Sequence, residues 1–457
     1  MGRESASAAV AAFRARHPDT RFVDVLLADL CGIPRGKRVT IDELEGVYDG
    51  AFLLPGSMFA LDVLGGTIEQ TGLGFDDGDA DRSCLPIPDT LLPVPWRPNE
   101  GVAQVQVSMC DRDGSAFFGE PRHALERVLG RFRELRLRPV IAVELEFYLL
   151  DPERTSDGTI QPPRLPQTGR REHQTQINSM TDLNEYSAVL AEISAACDAQ
   201  HIPSGTALAE YGPGQFEVNL RHSADPLKAC DEAIRFKRLV RGVAARHGLE
   251  ATFMPKPYRD MAGSGAHLHV SVLDERGENI FASTDPAGNE RLRHAIGGLA
   301  ATMADAMLIF APTANSYRRY RSEAYVPLSP SWAVNNRGVA LRIPVSDGAN
   351  RRIEHRVAGA DANPYLLTAA VLAGMHHGLT EQLDPGAPVV GNAYANCPST
   401  LPITWPDAAH AFERSALLRD YLGDKFHHLF LTTRRGELQE FESHITRLEY
   451  EWYVRTL

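Results

Sequence analysis

Residues 139–150, PVIAVELEFYLL, restrict the fold of this chain more than any other stretch. Apolar residues alternate there with Glu144 and Glu146, the period-two signature of a β-strand whose side chains point to opposite faces in turn. Two carboxylates at i and i+2 on a strand lie about 7 Å apart and repel each other unless a cation sits between them. A strand charged on a solvated face shows the same alternation. A sheet carrying a divalent metal site is the first expectation, and other strands must then supply the remaining ligands.

Three further segments offer them. Glu210 and Glu217 flank residues 211–216, YGPGQF, a tight turn able to bring two extended carboxylates back to one place. In GSGAHLHVSV, His267, His269 and Ser271 share one face and Leu268, Val270 and Val272 the other. In RRIEHRV, Arg352, Glu354 and Arg356 face away from Ile353, His355 and Val357; a solvated ion-pair strand is the alternative there. Five carboxylates and one imidazole suit hard, oxygen-seeking ions such as Mg²⁺ or Mn²⁺. Zinc fits less well, because no thiolate cluster and no H-E-x-x-H is present.

Arg318, Arg319, Arg337, Arg342, Arg351, Arg352 and Arg356 crowd the portion of chain that holds Glu354. Guanidinium forks grip carboxylate and phosphate bidentately, and beside divalent metals they point to phosphoryl transfer. The P-loop pattern is absent: Gly32-x-x-x-Gly36-Lys37-Arg38 lacks its spacing and its Ser/Thr, so a nucleotide must bind by another fold. The pairs His376-His377 and His427-His428 send their rings apart on a helix or a strand, which suits core or surface roles.

A net charge of −12 argues against nucleic acid or an anionic membrane as a partner and leaves small-molecule chemistry. With 457 residues, 43% of them hydrophobic, the chain is long enough for two domains. Cys31, Cys84, Cys110, Cys197, Cys230 and Cys397 are scattered and read as reduced thiols. Neither a leader's apolar core nor a stretch near ~18 apolar residues is present, so a cytoplasmic location is expected.

Along the chain, an alanine-rich helix is expected over residues 1–16, a strand over 22–29 and a second strand after a turn at 32–36. Residues 72–96 read as loops between short extended pieces, with a domain boundary near 111–114. Pro121 opens a helix whose apolar stripe is Leu125, Val128, Leu129, Phe132 and Leu135, and Asn363-Pro364 caps another. Residues 151–179 form a long polar loop. The mixture is α+β.

With these residues placed, the chain resembles the glutamine synthetase family over nearly its whole length and in order. The resemblance is carried by RGKRV (35–39), VELEFYLL (143–150), EYGPGQFEVNL (210–220), ATFMPKP (251–257), GSGAHLHVS (263–271), NSYRR (315–319), NNRGVALRIP (335–344), RRIEHR (351–356) and NPYL (363–366). It implies a small N-terminal β-grasp domain, residues 1–112, and a larger catalytic domain, 113–457, whose antiparallel sheet forms a funnel. By the same carry-over Glu146, Glu210 and Glu217 hold one Mg²⁺ or Mn²⁺, and Glu144, His267 and Glu354 a second. His269, Val270, Ser271, Arg342 and Arg352 sit with ATP; Arg319, Arg356 and the backbone of Gly263 with L-glutamate; Arg337 with the transferred phosphoryl. The implied reaction forms γ-glutamyl phosphate, which an amine then attacks. The implied assembly is a homododecamer of two hexameric rings with active sites between neighbours, and LEYEWYVRTL at the end resembles the helix that ties ring to ring.

The ammonium side departs from that pattern. Counted from Arg319 and back from Arg337, the acidic residue that binds and deprotonates ammonium in true glutamine synthetases is here Tyr325. A phenol holds its proton at pH 7 and forms no anionic cage for NH₄⁺. The family's Asp-Gly-Ser-Ser loop has no clean counterpart in LPGSMFALDVLGG, where Asp62 is the candidate substitute, and Ala262 replaces an asparagine. GSMFALDVLGG followed by TGLG and GDADR resembles the γ-glutamylpolyamine and γ-glutamylputrescine synthetase subgroup, which implies a ligase joining glutamate to a polyamine, diamine, ethanolamine or monoamine. Two alternatives stand beside it: a true glutamine synthetase using Glu323, on the same face as Tyr325 if that segment is extended, and a non-catalytic relative. Tyr394 reads as a surface or packing residue, since its surroundings do not match the family's adenylylated loop.

Overall fold

The computed structural model describes residues 3–457; of the helix expected over 1–16, residues 1 and 2 lie outside the described residues and the rest is the helix Arg3–Arg16. Strands β1 (Phe22–Ala28), β2 (Pro34–Thr40), β3 (Leu53–Pro55), β4 (Asp81–Pro86), β5 (Leu92–Pro93) and β6 (Val102–Met109) form a first sheet. Its order is β2-β1-β6-β4-β3, with β5 also paired to β6. β1 runs antiparallel to β2 and parallel to β6, so the first and last strands lie side by side as in a β-grasp. β2 starts at Pro34, inside the expected turn, because the Asp29 carboxylate accepts from the Cys31 and Ile33 amides at 2.9 and 2.8 Å and closes the reversal early.

The second sheet holds β7 (Arg138–Leu150), β8 (Ser204–Ala209), β9 (Gln215–Leu220), β10 (Glu250–Thr252), β11 (Ala266–Leu273), β12 (Trp332–Val334), β13 (Leu341–Ile343) and β14 (Ile353–His355). Its order is β12-β13-β14-β11-β7-β9-β8, with β10 beside β7. All of its pairs are antiparallel except β12 with β13, one departure from the antiparallel sheet expected.

One face of this sheet is apolar. Phe147 of β7 meets Phe216 of β9, Phe253, and Phe236 of the helix Pro226–Arg246. The helices Pro121–Glu134 and Pro364–Glu381 pack together, both opened by proline in the first turn, and the Asn363 side-chain Oδ1 accepts from the Tyr365 amide at 3.0 Å. Leu135, expected on the stripe of the first of these, is its C-cap and 42% exposed, because the helix has already ended. Residues 151–179 hold only isolated bridges and turns. All six cysteines are unpaired. His376 and His427 are core residues bonded to the Tyr421 hydroxyl (2.6 Å) and the Phe412 carbonyl (2.8 Å). Among the described residues no helix is long and apolar enough to cross a membrane.

Candidate active site

The opposite face of the second sheet is the charged one, and strand register sets its pattern. Glu146 of β7 lies directly across from Glu217 of β9. One pleat along, Glu144 lies across from His267 of β11. On the other side of β11, His269 pairs with Glu354 of β14, which pairs with Arg342 of β13. Residues separated by about 210 positions therefore share one surface by backbone geometry alone. The face is not solvated: Glu354 is 1% exposed, and Glu217, His267 and His269 are buried. Like charges directly across a ladder destabilise a sheet, so the Glu146–Glu217 pair requires compensation.

Ligand-type atoms converge in three overlapping triads: Glu146, Glu210 and Glu217; Glu144, Glu217 and His267; and Glu144, His269 and Glu354, each set within 4.8 Å of one another. The first is the triad expected for one ion. The second ion's expected set is arranged differently, with Glu354 meeting Glu144 through His269 rather than His267. The reason is that both Glu354 oxygens are gripped by guanidinium groups, Arg342 Nη1 donating to Oε2 at 2.7 Å and Arg356 Nη1 to Oε1. His267 Nδ1 lies 3.4 Å from Glu144 Oε2, and His269 Nε2 lies 2.8 Å from Glu144 Oε1.

Electrostatics divides these carboxylates. Burial and the charges of Glu146, Glu144, Glu210 and Glu354 push Glu217 up to about 9. Burial and the charge of Glu146 push Glu210 up to about 7, against the pull of Arg337 and Arg356. For Glu354 burial is outweighed by Arg356, His267, His269 and Arg342, and its carboxyl falls to about 2. Glu144 lies well below the usual carboxylate range because hydrogen bonds with His267 and His269 outweigh its burial. One end of the cluster thus carries its own positive partners. The Glu146, Glu210, Glu217 end is bonded by neutral amides instead, Asn219 Nδ2 donating to Glu217 Oε1 at 3.3 Å and backbone amides to Glu146 and Glu210. Such an all-oxygen set, short of positive charge, fits a hard divalent cation.

Gly265 lets the backbone enter this cluster. A Cβ there would sit 3.1 Å from His267 Nε2, 3.2 Å from Arg319 Nη2 and 3.4 Å from Glu146 Oε1. Without one, its amide donates to Glu146 Oε2 at 2.8 Å. Arg319 is 4% exposed and runs past Gly263, donating through Nη1 to the Val357 carbonyl at 3.2 Å while its Nε has no partner. The Gly263 carbonyl accepts from Gln215 Nε2 at 3.0 Å. Arg352 Nε donates to His269 Nδ1 at 3.2 Å, which joins the expected phosphate-side arginine to the carboxylate cluster.

Some expected residues fall elsewhere. The Val270 side chain, 1% exposed, belongs to the apolar face, in register with Ile141 and Ile353, so only its backbone is available to a ligand; Ser271 on the charged face is partly exposed. Arg337 is exposed on the loop after β12. Glu323 and Tyr325 do not share an extended face: both are exposed, with left-handed φ of +61° and +53°, in a turn that follows Arg321. Asp62 makes no bond to the cluster in the same chain: its carboxylate accepts from the Leu64 and Gly66 amides at 2.9 and 2.7 Å, and its negative charge helps to raise Glu437. Tyr394 is no mere packing residue, since its hydroxyl donates to the Val326 carbonyl at 3.1 Å. Asn219, Gln215 and the membership of His269 in the carboxylate cluster were not anticipated, although Asn219 shares the period-two face of Glu217.

Comparison with known proteins agrees with this geometry. Residues 118–453 match the family model described as glutamine synthetase, catalytic domain. The chain is 44% identical over 440 residues to gamma-glutamylputrescine synthetase PuuA of Escherichia coli (strain K12), covering 96% of this chain and 93% of that one. It is 30% identical over 434 residues to a glutamate--isopropylamine ligase of a Pseudomonas species, covering 93% of each. Among solved structures, a GmaS/ADP complex superposes with a TM-score of 0.84 at 27% identity, covering 97% of this chain and 99% of that one.

Proposed function

The chain belongs to the glutamine synthetase family, and from that premise we propose that it is an ATP-dependent ligase joining L-glutamate to an aliphatic amine, a diamine of the putrescine class first. The observation that carries this reading is whole-length similarity to a γ-glutamylputrescine synthetase. It is supported by Tyr325, 59% exposed, at the position where ammonia-using members hold an acid. Residues 1–112 and 113–457 are proposed as the two domains, in a cytoplasmic dodecamer whose sites lie between neighbours.

In the first step the γ-carboxylate of glutamate attacks the γ-phosphorus of ATP, giving γ-glutamyl phosphate and ADP. Arg319 and Arg356 hold the glutamate carboxylate beside the Gly263 backbone, and Arg342, Arg352, His269 and Ser271 hold the nucleotide. Arg337 reaches the transferred phosphoryl, where a fixed positive charge acts on the charge that develops. In the second step the amine nitrogen attacks the acyl carbon, phosphate leaves and the nitrogen loses a proton. Glu323 is proposed as the acceptor of that proton and the Tyr325 ring as a wall for the amine's methylenes, with Asp62 of a neighbouring subunit on the far side. Glu146, Glu210 and Glu217 would hold one Mg²⁺ or Mn²⁺, and Glu144, His267 and Glu354 a second once Arg342 and Arg356 share Glu354 with it. Divalent ions there supply charge neutralisation on the phosphates.

The test is a panel of amines with ATP and glutamate, reading phosphate release and the mass of the γ-glutamyl product. Putrescine is expected to outperform ammonium, and Tyr325→Glu to raise ammonium use relative to putrescine. Ammonium as the best acceptor, with no organic amide formed, would falsify the reading in favour of a true glutamine synthetase. Failure to bind Mg²⁺-ATP in calorimetry would favour a non-catalytic relative.

A further inference from the structure

We propose that Tyr394 is a positioning residue of the amine side, whose phenol holds the turn carrying Glu323 and Tyr325 by donating to the Val326 carbonyl. The inference rests on the ligase reading above. Among the described residues, Tyr394 is the one residue that hydrogen-bonds to any of 322–327. The turn's other ties lie at its ends, Arg321 N to Arg319 O at 2.9 Å and the Thr400 and Leu401 amides to Leu328 O at 3.0 and 3.1 Å. Two non-glycine residues with left-handed φ stand within three positions of each other, a conformation that persists only when its surroundings impose it.

The anchor is itself anchored. Tyr394 lies in the short helix Ala393–Asn396, where Asn392 Oδ1 accepts from the Tyr394 amide at 2.9 Å and Asn396 Nδ2 donates to Val390 O at 2.7 Å. The same segment grips the loop of Arg337, because Asn336 Nδ2 donates to Gly391 O at 2.8 Å. A cavity of ≈ 60 Å³ lies between the pieces, lined among others by Ser322, Ser329, Gly338, Tyr394 and Cys397. A single segment therefore sets the amine turn and the phosphoryl loop relative to each other. Attack on an acyl phosphate depends on how well the nucleophile is oriented, so loosening the turn should fall on the amine and not on the nucleotide.

Tyr394→Phe removes the donor and keeps the ring. With putrescine as probe, its KM is expected to rise about tenfold, the worth of one ordinary hydrogen bond, while the KM values for ATP and glutamate stay within about twofold. An unchanged putrescine KM, or an equal rise in all three, overturns the proposal. Amide hydrogen exchange gives a readout independent of turnover: residues 322–327 should exchange faster in the variant, and equal rates in variant and wild type overturn the idea as well. A wild-type enzyme inert towards putrescine would remove the ligase reading instead, while exchange at 322–327 would still decide whether Tyr394 holds the turn.

Discussion

Glu217→Gln is expected to cut turnover by at least about 100-fold while making the metal-free protein more heat-stable above neutral pH. Both effects have one cause. Glu217 belongs to two of the three triads, so losing its charge removes a ligand from the site it shares with Glu146 and Glu210 and a negative charge from beside Glu144 and His267. In the metal-free chain that charge is a liability, since burial and four neighbouring carboxylates hold its proton on up to about 9, against an ordinary 4.5. Between those values the folded chain keeps a proton that the unfolded chain has released. This group's stabilising contribution is therefore complete below pH 4.5 and is lost as pH rises through about 9. Glu210 acts in the same direction, its contribution falling away as pH rises from the ordinary 4.5 through about 7. Melting curves in chelator should accordingly fall with rising pH in the wild type and fall less in Glu217→Gln. Added Mg²⁺ should restore stability to the wild type at high pH, because the ion replaces the protons. A wild-type melting temperature that is flat with pH in chelator, or full turnover in the variant, would sink the assignment.

Arg319→Lys is expected to raise the KM for glutamate by about 100-fold and to leave that for ATP within about twofold. A charge-assisted bond to a carboxylate is worth about 1.5–3 kcal/mol. Lysine keeps the charge and loses the fork that grips two oxygens at once. Arg319 has one nitrogen committed to Val357 O and a buried Nε without a partner, beside the Gly263 and Gly265 backbone where a substrate carboxylate would meet it. Initial-rate kinetics with each substrate varied in turn decides the matter. Equal increases for ATP and glutamate would mean that Arg319 supports the fold of the site instead of one ligand.

Much of the charged face is legible in the sequence, because strand periodicity is a local property. Glu144 and Glu146, His267 and His269, and Glu354 between two arginines all announce a polar face opposite an apolar one, and the sheet has those faces. Their burial was not legible. An alternating strand on a solvated surface reads the same as one roofed by other elements, and only packing distinguishes them. The turn at Glu323 and Tyr325 was misjudged because a left-handed backbone at two non-glycine residues is imposed from outside the segment. Its anchor, Tyr394, is 68 positions further along.

The chain by itself determined the residue types on each strand face, the helix starts at Pro121 and Asn363-Pro364, and the excess of carboxylate and guanidinium that calls for cations and phosphates. These follow from periodicity and local stereochemistry, which operate over a few residues. Tertiary structure alone decided which groups pair. It committed Glu354 to Arg342 and Arg356, drew His269 in beside Glu144, set Glu217 against Glu146, and tied the loop of Asp62 to Glu437 through the Val63 amide. Register between strands and the burial of charge fix those partners, and both depend on contacts between segments that the order of residues along one stretch does not encode.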